Sequence, residues 1–256
     1  MMESGFHQSL VSIITPAWNV ASVVQETIDS VRAQTYTKWE MLVVDDYSPD
    51  DTAAVVARAA QADGRIRLIR QPVNGGPAVA RNAALLVAKG RWVAFLDSDD
   101  QWLPKKLERQ IRFHEAARAK ISFTQFRRIT KGVTQAGRLI GVPPRLDYRA
   151  LLGNTAIATS TVLVDRNMTG KFAMQRMYYD DFGCWLELLR PGGFAVGLQE
   201  DLMRYRVMGG SVSRNKRNSA IQVWRTYREI ERLSVIPAAW YFVNYAVRGY
   251  LKYFRF

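Results

Sequence analysis

The chain has 256 residues, of which 48% are apolar, with 36 Lys and Arg against 23 Asp and Glu and a single cysteine. That length fits one large domain with a complete core or two small ones, and the apolar share excludes a disordered chain. The lone Cys184 excludes an intramolecular disulfide and fits a reducing compartment.

Met1 to Gln8 is polar, and the apolar run after it breaks at Pro16, so no leader peptide is expected. Leu10 to Thr15 reads as a buried-type strand ended by Pro16, and Val24, Ile28 and Val31 give Ala21 to Gln34 a helical spacing. Met41 to Val44 is a second strand, running into the acidic loop Asp45 to Thr52 and a helix to about Ala60. Ile66 to Ile69 is a third strand. The loop Gln71 to Pro77 holds Asn74, Gly75 and Gly76, and Ala78 to Ala88 reads as a helix ended by Gly90. Trp92 to Leu96 is a fourth strand, ending abruptly in Asp97, Ser98, Asp99 and Asp100. This strand–helix alternation predicts an α/β fold around a parallel sheet covered on both faces.

Beyond Pro104 a charged helix is expected to about Lys120, followed by β-like stretches at Ile121 to Phe126 and Thr161 to Val164. Tyr178 to Leu189 is an amphipathic helix containing Asp180 and Asp181, ended by Pro191, Gly192 and Gly193. Residues 218–233 and 238–256 read as helical. No run approaches the roughly 18 apolar residues of a spanning helix, and the expected location is cytoplasmic.

In a parallel sheet the loops that follow successive strands open on one edge, where α/β folds bind ligands. Here they are Pro16, Ala17, Trp18 and Asn19; Asp45 to Thr52; Asn74 to Pro77; and Asp97 to Asp100. Each taken singly is ordinary turn chemistry. Together they form a polar, partly acidic pocket suited to a nucleotide. A carboxylate accepts from a base N–H, Trp18 stacks, Arg81 meets phosphate, and Gly75 lets backbone approach closely. Three carboxylates in four residues stay ionised together most readily around a cation. The plainer reading of Asp99 or Asp100 is a cap on the helix near Pro104. The plainer reading of Asp181 is a helix-start carboxylate favoured by the macrodipole.

The stretches VSIITPAWN, VVDDYSPDDT, NGGPAVARN, FLDSDD and YYDDFGCWLEL, in this order, resemble family 2 glycosyltransferases of the GT-A fold, with a Rossmann-like central sheet. Further downstream, VPPRLDYRALL, TVLVDR and LMRYRVMGGSVSRNK resemble the teichuronic-acid-type branch, which assembles bacterial surface polysaccharides. The resemblance implies a catalytic domain over residues 9–215 and a helical, basic tail over 216–256. It implies inverting transfer of a sugar from a nucleotide diphosphate-sugar, UDP by expectation, to a saccharide or polyprenyl-diphosphate-linked saccharide. Carried over by position, Pro16, Ala17 and Trp18 line the base and ribose, and Asp46 accepts from the uracil N3–H. Arg81 sits near the diphosphate, Asp97 contacts ribose, and Asp99 holds Mg²⁺ or Mn²⁺ against the diphosphate, with Asn19, Gly75 and Ser98 also in the nucleotide-sugar site. Asp181 is the implied catalytic base, with Asp180 toward the acceptor.

This chain departs from the family pattern at Asp180, where Glu is common, and at Met208, where many GT-A enzymes place a metal-binding histidine. The departure at Met208 keeps an inactive nucleotide-sugar-binding member as an alternative. An apolar strand ending in Asp-x-Asp also resembles haloacid-dehalogenase phosphatases, but Gln101 stands where those carry Thr or Val. His7 and His114 match no motif and read as surface or structural residues, and Cys184 as buried.

The formal charge of +13 is unevenly placed, since residues 201–256 hold eleven Lys and Arg and three Asp and Glu. Nucleic acid is not an expected partner, because no standard nucleic-acid motif accompanies this charge. Ala238 to Phe256 carries eight aromatics, with Arg248, Lys252 and Arg255 at i, i+4 and i+7. Two readings stand: a helix docked on the core, or a helix lying at the anionic inner face of the cytoplasmic membrane.

Overall fold

The computed structural model describes residues 9–130, 136–154, 156–177, 179–207 and 216–254. His7, Tyr178 and Met208 lie outside them. The first half alternates as expected: β1 (Val11–Ala17), α1 (Val24–Arg32), β2 (Trp39–Asp45), α2 (Thr52–Ala62), β3 (Ile66–Arg70), α3 (Pro77–Val87) and β4 (Trp92–Phe95). β1, β2 and β4 are buried along nearly their whole length, because helices cover both faces of the sheet.

β1 runs through Pro16 instead of ending there. Pro16 sits opposite Val44 of β2, while the pairing of β1 with β4 stops at Ile14 and Phe95. The N–H that proline lacks belongs on the β4 side, where no ladder continues, so no bond is lost.

The second half adds β5 (Gln101–Trp102), α4 (Lys106–Ala117), β6 (Ile121–Ile129), β7 (Leu139–Ile140), β8 (Arg145–Leu146) and α5 (Tyr148–Leu152). A 3₁₀ turn (Thr159–Thr161), β9 (Leu163–Asp165), α6 (Arg166–Thr169), α7 (Asp180–Leu189) and β10 (Ala195–Arg206) follow. The main sheet order is β3-β2-β1-β4-β9-β6-β10-β5. It is not wholly parallel, because β9 runs antiparallel between β4 and β6. β6 and β10 are parallel to each other, so β10 ends on the same edge as β1 to β4. The antiparallel β9 begins on that edge. This places the Thr159–Thr161 turn beside the loops that the sequence had already gathered.

The chain ends in α8 (Lys216–Arg225), a π-helical turn (Thr226–Ile230) and α9 (Val235–Phe254). Val223, Tyr227 and Ala238 are buried in the same apolar cluster as Phe95 of β4 and Trp185 of α7. Through these residues α8, the π-helical turn and the start of α9 pack on the core of the same sheet.

Candidate active site

The edge is built from two groups of loops. In the first, the β1 loop is laced to the β2 loop. The backbone N–H groups of Asn19, Val20 and Ala21 donate to Ser48 Oγ, Thr52 Oγ1 and Asp50 Oδ2 at 3.1, 2.9 and 2.9 Å. Pro16 is half-buried and Ala17 buried, whereas Trp18 and Asn19 are exposed, leaving the indole open to a stacking partner. Asn19 takes a φ of 55°, in the left-handed region that asparagine tolerates.

Asp46 is buried, and its carboxylate accepts from the N–H of Gly75 at 2.9 Å and of Gly76 at 2.8 Å. It therefore ties the β2 loop to the start of α3. Gly76 has a φ of 85°, and a Cβ on Gly75 would meet Val79 Cγ1 at 2.8 Å, so this turn needs both glycines.

The second group surrounds the acidic loop after β4. Arg81, buried in α3, donates from Nη2 to Asp97 Oδ1 at 2.7 Å and from Nη1 to Asp180 Oδ2 at 2.8 Å. Ser98 is buried, and its carbonyl accepts from Thr27 Oγ1 of α1. Asp99 and Asp100 do not cap α4. The N–H of Leu107 in its first turn is taken by Gln34 Oε1 at 3.0 Å, reaching over from beyond α1. Asp100 Oδ1 instead accepts from the backbone N–H of Arg206 at 2.8 Å.

Arg206 went unassigned in the sequence although it stands inside a quoted motif. It is buried at the end of β10, and its Nε donates to the Asp99 carbonyl at 2.8 Å. Its Nη2 donates to Glu26 Oε2 of α1. One side chain thus fastens the acidic loop between two elements.

At the start of α7, Asp180 is buried and Asp181 partly open. Asp181 Oδ1 accepts from the Phe182 N–H, and its Oδ2 accepts from Thr159 Oγ1. The neighbouring Ser160 receives the Asp97 N–H on its Oγ at 3.0 Å, and its carbonyl accepts from Trp102 Nε1 at 2.7 Å. The 3₁₀ turn therefore touches both the acidic loop and the proposed base. Neither Thr159 nor Ser160 stood out in the sequence.

Asp97, Asp99, Asp100, Asp180 and Asp181 surround two cations, Arg81 and Arg206. Burial and the charge of Asp97 push the Asp99 carboxyl up to about 6. Burial, with Asp99 and Asp97 behind it, raises Asp100 well above the carboxylate range. Burial also raises Asp180, against the opposing pull of Arg81. This surplus of hard oxygen donors fits a divalent ion beside Asp97 and Asp99. Among the described residues no three His, Cys, Asp or Glu side chains are arranged to hold a metal ion by themselves.

His114 is buried and structural, between Ser122 Oγ and the Ala119 carbonyl. Cys184 is buried in α7, where burial holds its thiol far above the usual range.

The profile of Glycosyl transferase family 2 matches residues 12–183, a span that contains every residue of the edge except Arg206. The chain belongs to glycosyl transferase family 2. It is 42% identical over 244 residues to a Bacillus subtilis protein bearing the name teichuronic acid biosynthesis glycosyltransferase TuaG, covering 95% of this chain and 97% of that one. It is 33% identical to an Escherichia coli protein named UDP-Glc:alpha-D-GlcNAc-diphosphoundecaprenol beta-1,3-glucosyltransferase WfgD, covering 95% of each. Among solved structures, residues 1–349 of S. aureus TarS with UDP-GlcNAc superpose with a TM-score of 0.70 at 16% identity, covering 92% of this chain and 71% of that one. The mannosyltransferase PcManGT of Pyrobaculum calidifontis, with GDP-Man and Mn²⁺, superposes with a TM-score of 0.69 at 17% identity, covering 94% and 74%. The enzyme has the GT-A fold that the motifs implied.

Proposed function

We propose that this glycosyltransferase moves a sugar from a UDP-sugar, with inversion, to a hydroxyl of a lipid-linked saccharide during assembly of a bacterial surface polysaccharide. The observation that carries the reading is the partly open Asp181 carboxylate, which stands beside the acidic loop and is held through the Thr159–Thr161 turn. The names of the TuaG and WfgD relatives support the polysaccharide context and the lipid-linked acceptor.

In this reading Trp18 and the 45–52 loop take the base. Asp46 holds the Gly75–Gly76 turn open for the donor, and Arg81 keeps Asp97 in place. Asp181 accepts the acceptor hydroxyl's proton on a carboxylate oxygen as that hydroxyl attacks the anomeric carbon from the face opposite the diphosphate. Thr159 and the Phe182 N–H orient that carboxylate. Asp180, bound to Arg81, lies behind it toward the acceptor side. Mg²⁺ or Mn²⁺, held by Asp99 with Asp97 nearby, would supply charge neutralisation of the departing diphosphate.

A panel of nucleotide-sugars, screened with and without Mn²⁺ for thermal stabilisation and for transfer to a polyprenyl-diphosphate-linked acceptor, tests the reading. A UDP-sugar is expected to stabilise the protein in the presence of metal, and the product is expected to carry the inverted anomeric configuration. Retention of configuration, or stabilisation by other nucleotide-sugars alone, overturns it.

A further inference from the structure

The last helix is docked on one side and open on the other. Ala238 is buried, and Tyr241, Phe242 and Tyr245 pack against the core that also holds Val223 and Tyr227. The Trp224 and Phe242 rings meet edge-on at 5.6 Å. Three of the tail's aromatics thus belong to the fold itself. On the opposite face Ile236, Trp240, Val243 and Val247 are exposed by 83, 67, 57 and 50%. Their spacing of i, i+4, i+7 and i+11 makes one continuous stripe along α9. In the sequence this spacing continues to Tyr250 and Phe254.

Ordinary surface residues do not explain the stripe. Scattered apolar side chains are common on protein surfaces, but a continuous exposed apolar line marks an interaction face. The charge beside it identifies the occupant. From Ser234 to Phe256 the chain contains Arg248, Lys252 and Arg255 and no carboxylate, and Arg248 is exposed. The charge flanks the stripe and does not lie on it: Arg248 stands about 110° round the helix from the stripe's centre, where a long side chain reaches outward past an embedded apolar face. An anionic lipid surface takes both features at once: the stripe enters the headgroup boundary, with Trp240 at a depth that suits indole, while the cations meet lipid phosphates. No helix among the described residues is long and apolar enough to cross a membrane, so the helix lies along the surface.

The helix is also linked to the candidate active site. Glu231, just ahead of α9, pairs with Arg190 at 2.7 Å and accepts from the Tyr148 hydroxyl. Arg190 closes α7, and α7 opens with Asp180 and Asp181 about 15 Å away along its axis.

We propose that the Ile236–Trp240–Val243–Val247 face of α9 is a monotopic anchor that seats the enzyme on an anionic lipid bilayer, with α7 joined to the anchor through Arg190 and Glu231. This extends the reading of a lipid-linked acceptor, but its readout does not depend on turnover. The test is sedimentation of the intact chain with vesicles of phosphatidylcholine alone and of phosphatidylcholine mixed with phosphatidylglycerol, alongside the variants Trp240→Glu/Val243→Glu and Val247→Asp. UDP binding and light scattering are measured on every sample. The intact chain is expected to sediment with the mixed vesicles at low salt and to be only partly released by high salt. The double variant is expected to lose at least about tenfold in partitioning, and Val247→Asp to lose less, both with UDP affinity unchanged.

Sedimentation of the double variant equal to that of the intact chain overturns the proposal. So does an intact chain that ignores the anionic vesicles. A dimer in the absence of lipid that the double variant dissolves assigns the face to a second copy and overturns it equally. Failure of the donor reading shows separately, as absence of UDP binding in the intact chain.

Discussion

Arg81 and Asp180, ninety-nine positions apart in the chain, face each other in the interior with Nη1 2.8 Å from Oδ2. The same guanidinium reaches Asp97 Oδ1 at 2.7 Å, so one cation joins the acidic loop after β4 to the first residue of α7. Its place in the structure makes Arg81 the joint between the loop after β4 and the start of α7.

Removing that joint leaves two carboxylates without their cation. Arg81→Met is expected to lower stability by about 3–5 kcal/mol in denaturant titrations, the usual cost of stripping one partner from a buried ion pair. Arg81→Lys should recover only part of this, since an ammonium cannot reproduce the two-pronged geometry. A Met variant as stable as wild type would show that the joint contributes nothing to the fold.

The proposed base, Asp181, and the hydroxyl that supports it can be separated by two substitutions. Asp181→Asn keeps the shape but takes no proton, and turnover is expected to fall by about 10²–10⁴ with donor affinity nearly unchanged. Thr159→Val removes the hydroxyl that donates to Asp181 Oδ2 and should cost about tenfold in kcat, with KM for the donor unmoved. Steady-state kinetics on both variants provide the check, and wild-type turnover in Asp181→Asn would move the role of base to another group.

Asp99 offers a trade between function and stability. Burial and the charge of Asp97 push its carboxyl up from the ordinary 3.8 to about 6 in the fold. The folded state therefore disfavours the ionised form. The penalty grows as pH rises from about 4 to 6 and is complete above that. Asp99→Asn is expected to stabilise the metal-free protein at pH 7 by about 1–3 kcal/mol, to lose that advantage below about pH 4, and to abolish the metal dependence of UDP binding. Thermal melts across pH, with calorimetry of UDP in the presence and absence of Mn²⁺, measure both halves.

His114 predicts a pH response with a different sign. Its Nε2 donates to the Ala119 carbonyl at 2.7 Å, which makes Nδ1 the acceptor from Ser122 Oγ at 2.8 Å. Gln110 Nε2 also donates to that hydroxyl at 3.1 Å, so it has a proton to give. Burial pushes the imidazole down to about 4 from 6.5. The unfolded chain then binds a proton that the fold refuses, and stability is lost as pH falls from about 6.5 to 4, by up to about 3 kcal/mol. His114→Gln should flatten this part of the stability curve, measured by urea titration at several pH values. An unchanged slope would assign it to other groups.

The first hundred residues were largely legible as sequence because their structure is set locally. Strands covered on both faces read as apolar runs, the intervening helices carry their own periodicity, and the loops between them are Asn, Asp, Gly and Pro. Parallel strands then oblige those loops to share an edge, which puts the acidic loop after β4 and the Gly75–Gly76 turn on the same side of the sheet. The motif order carried the family.

What only the tertiary structure decided lies at longer range. β10 alternates poorly, with exposed or half-buried residues through its middle and register shifts near Asp201, so no local pattern marks it as a strand. Without β10 nothing sends Arg206 to the acidic loop 106 positions away. The antiparallel β9 is three residues long, yet its direction brings Thr159 and Ser160 to Asp181 and Asp97. The two faces of α9 were likewise undecided, because apolar and aromatic residues occur all round that helix and only packing against Val223 and Tyr227 selects which of them stay outside. In each case the partner of a side chain is chosen by sheet order and core packing, which depend on the whole chain, and not by the residues beside it in sequence.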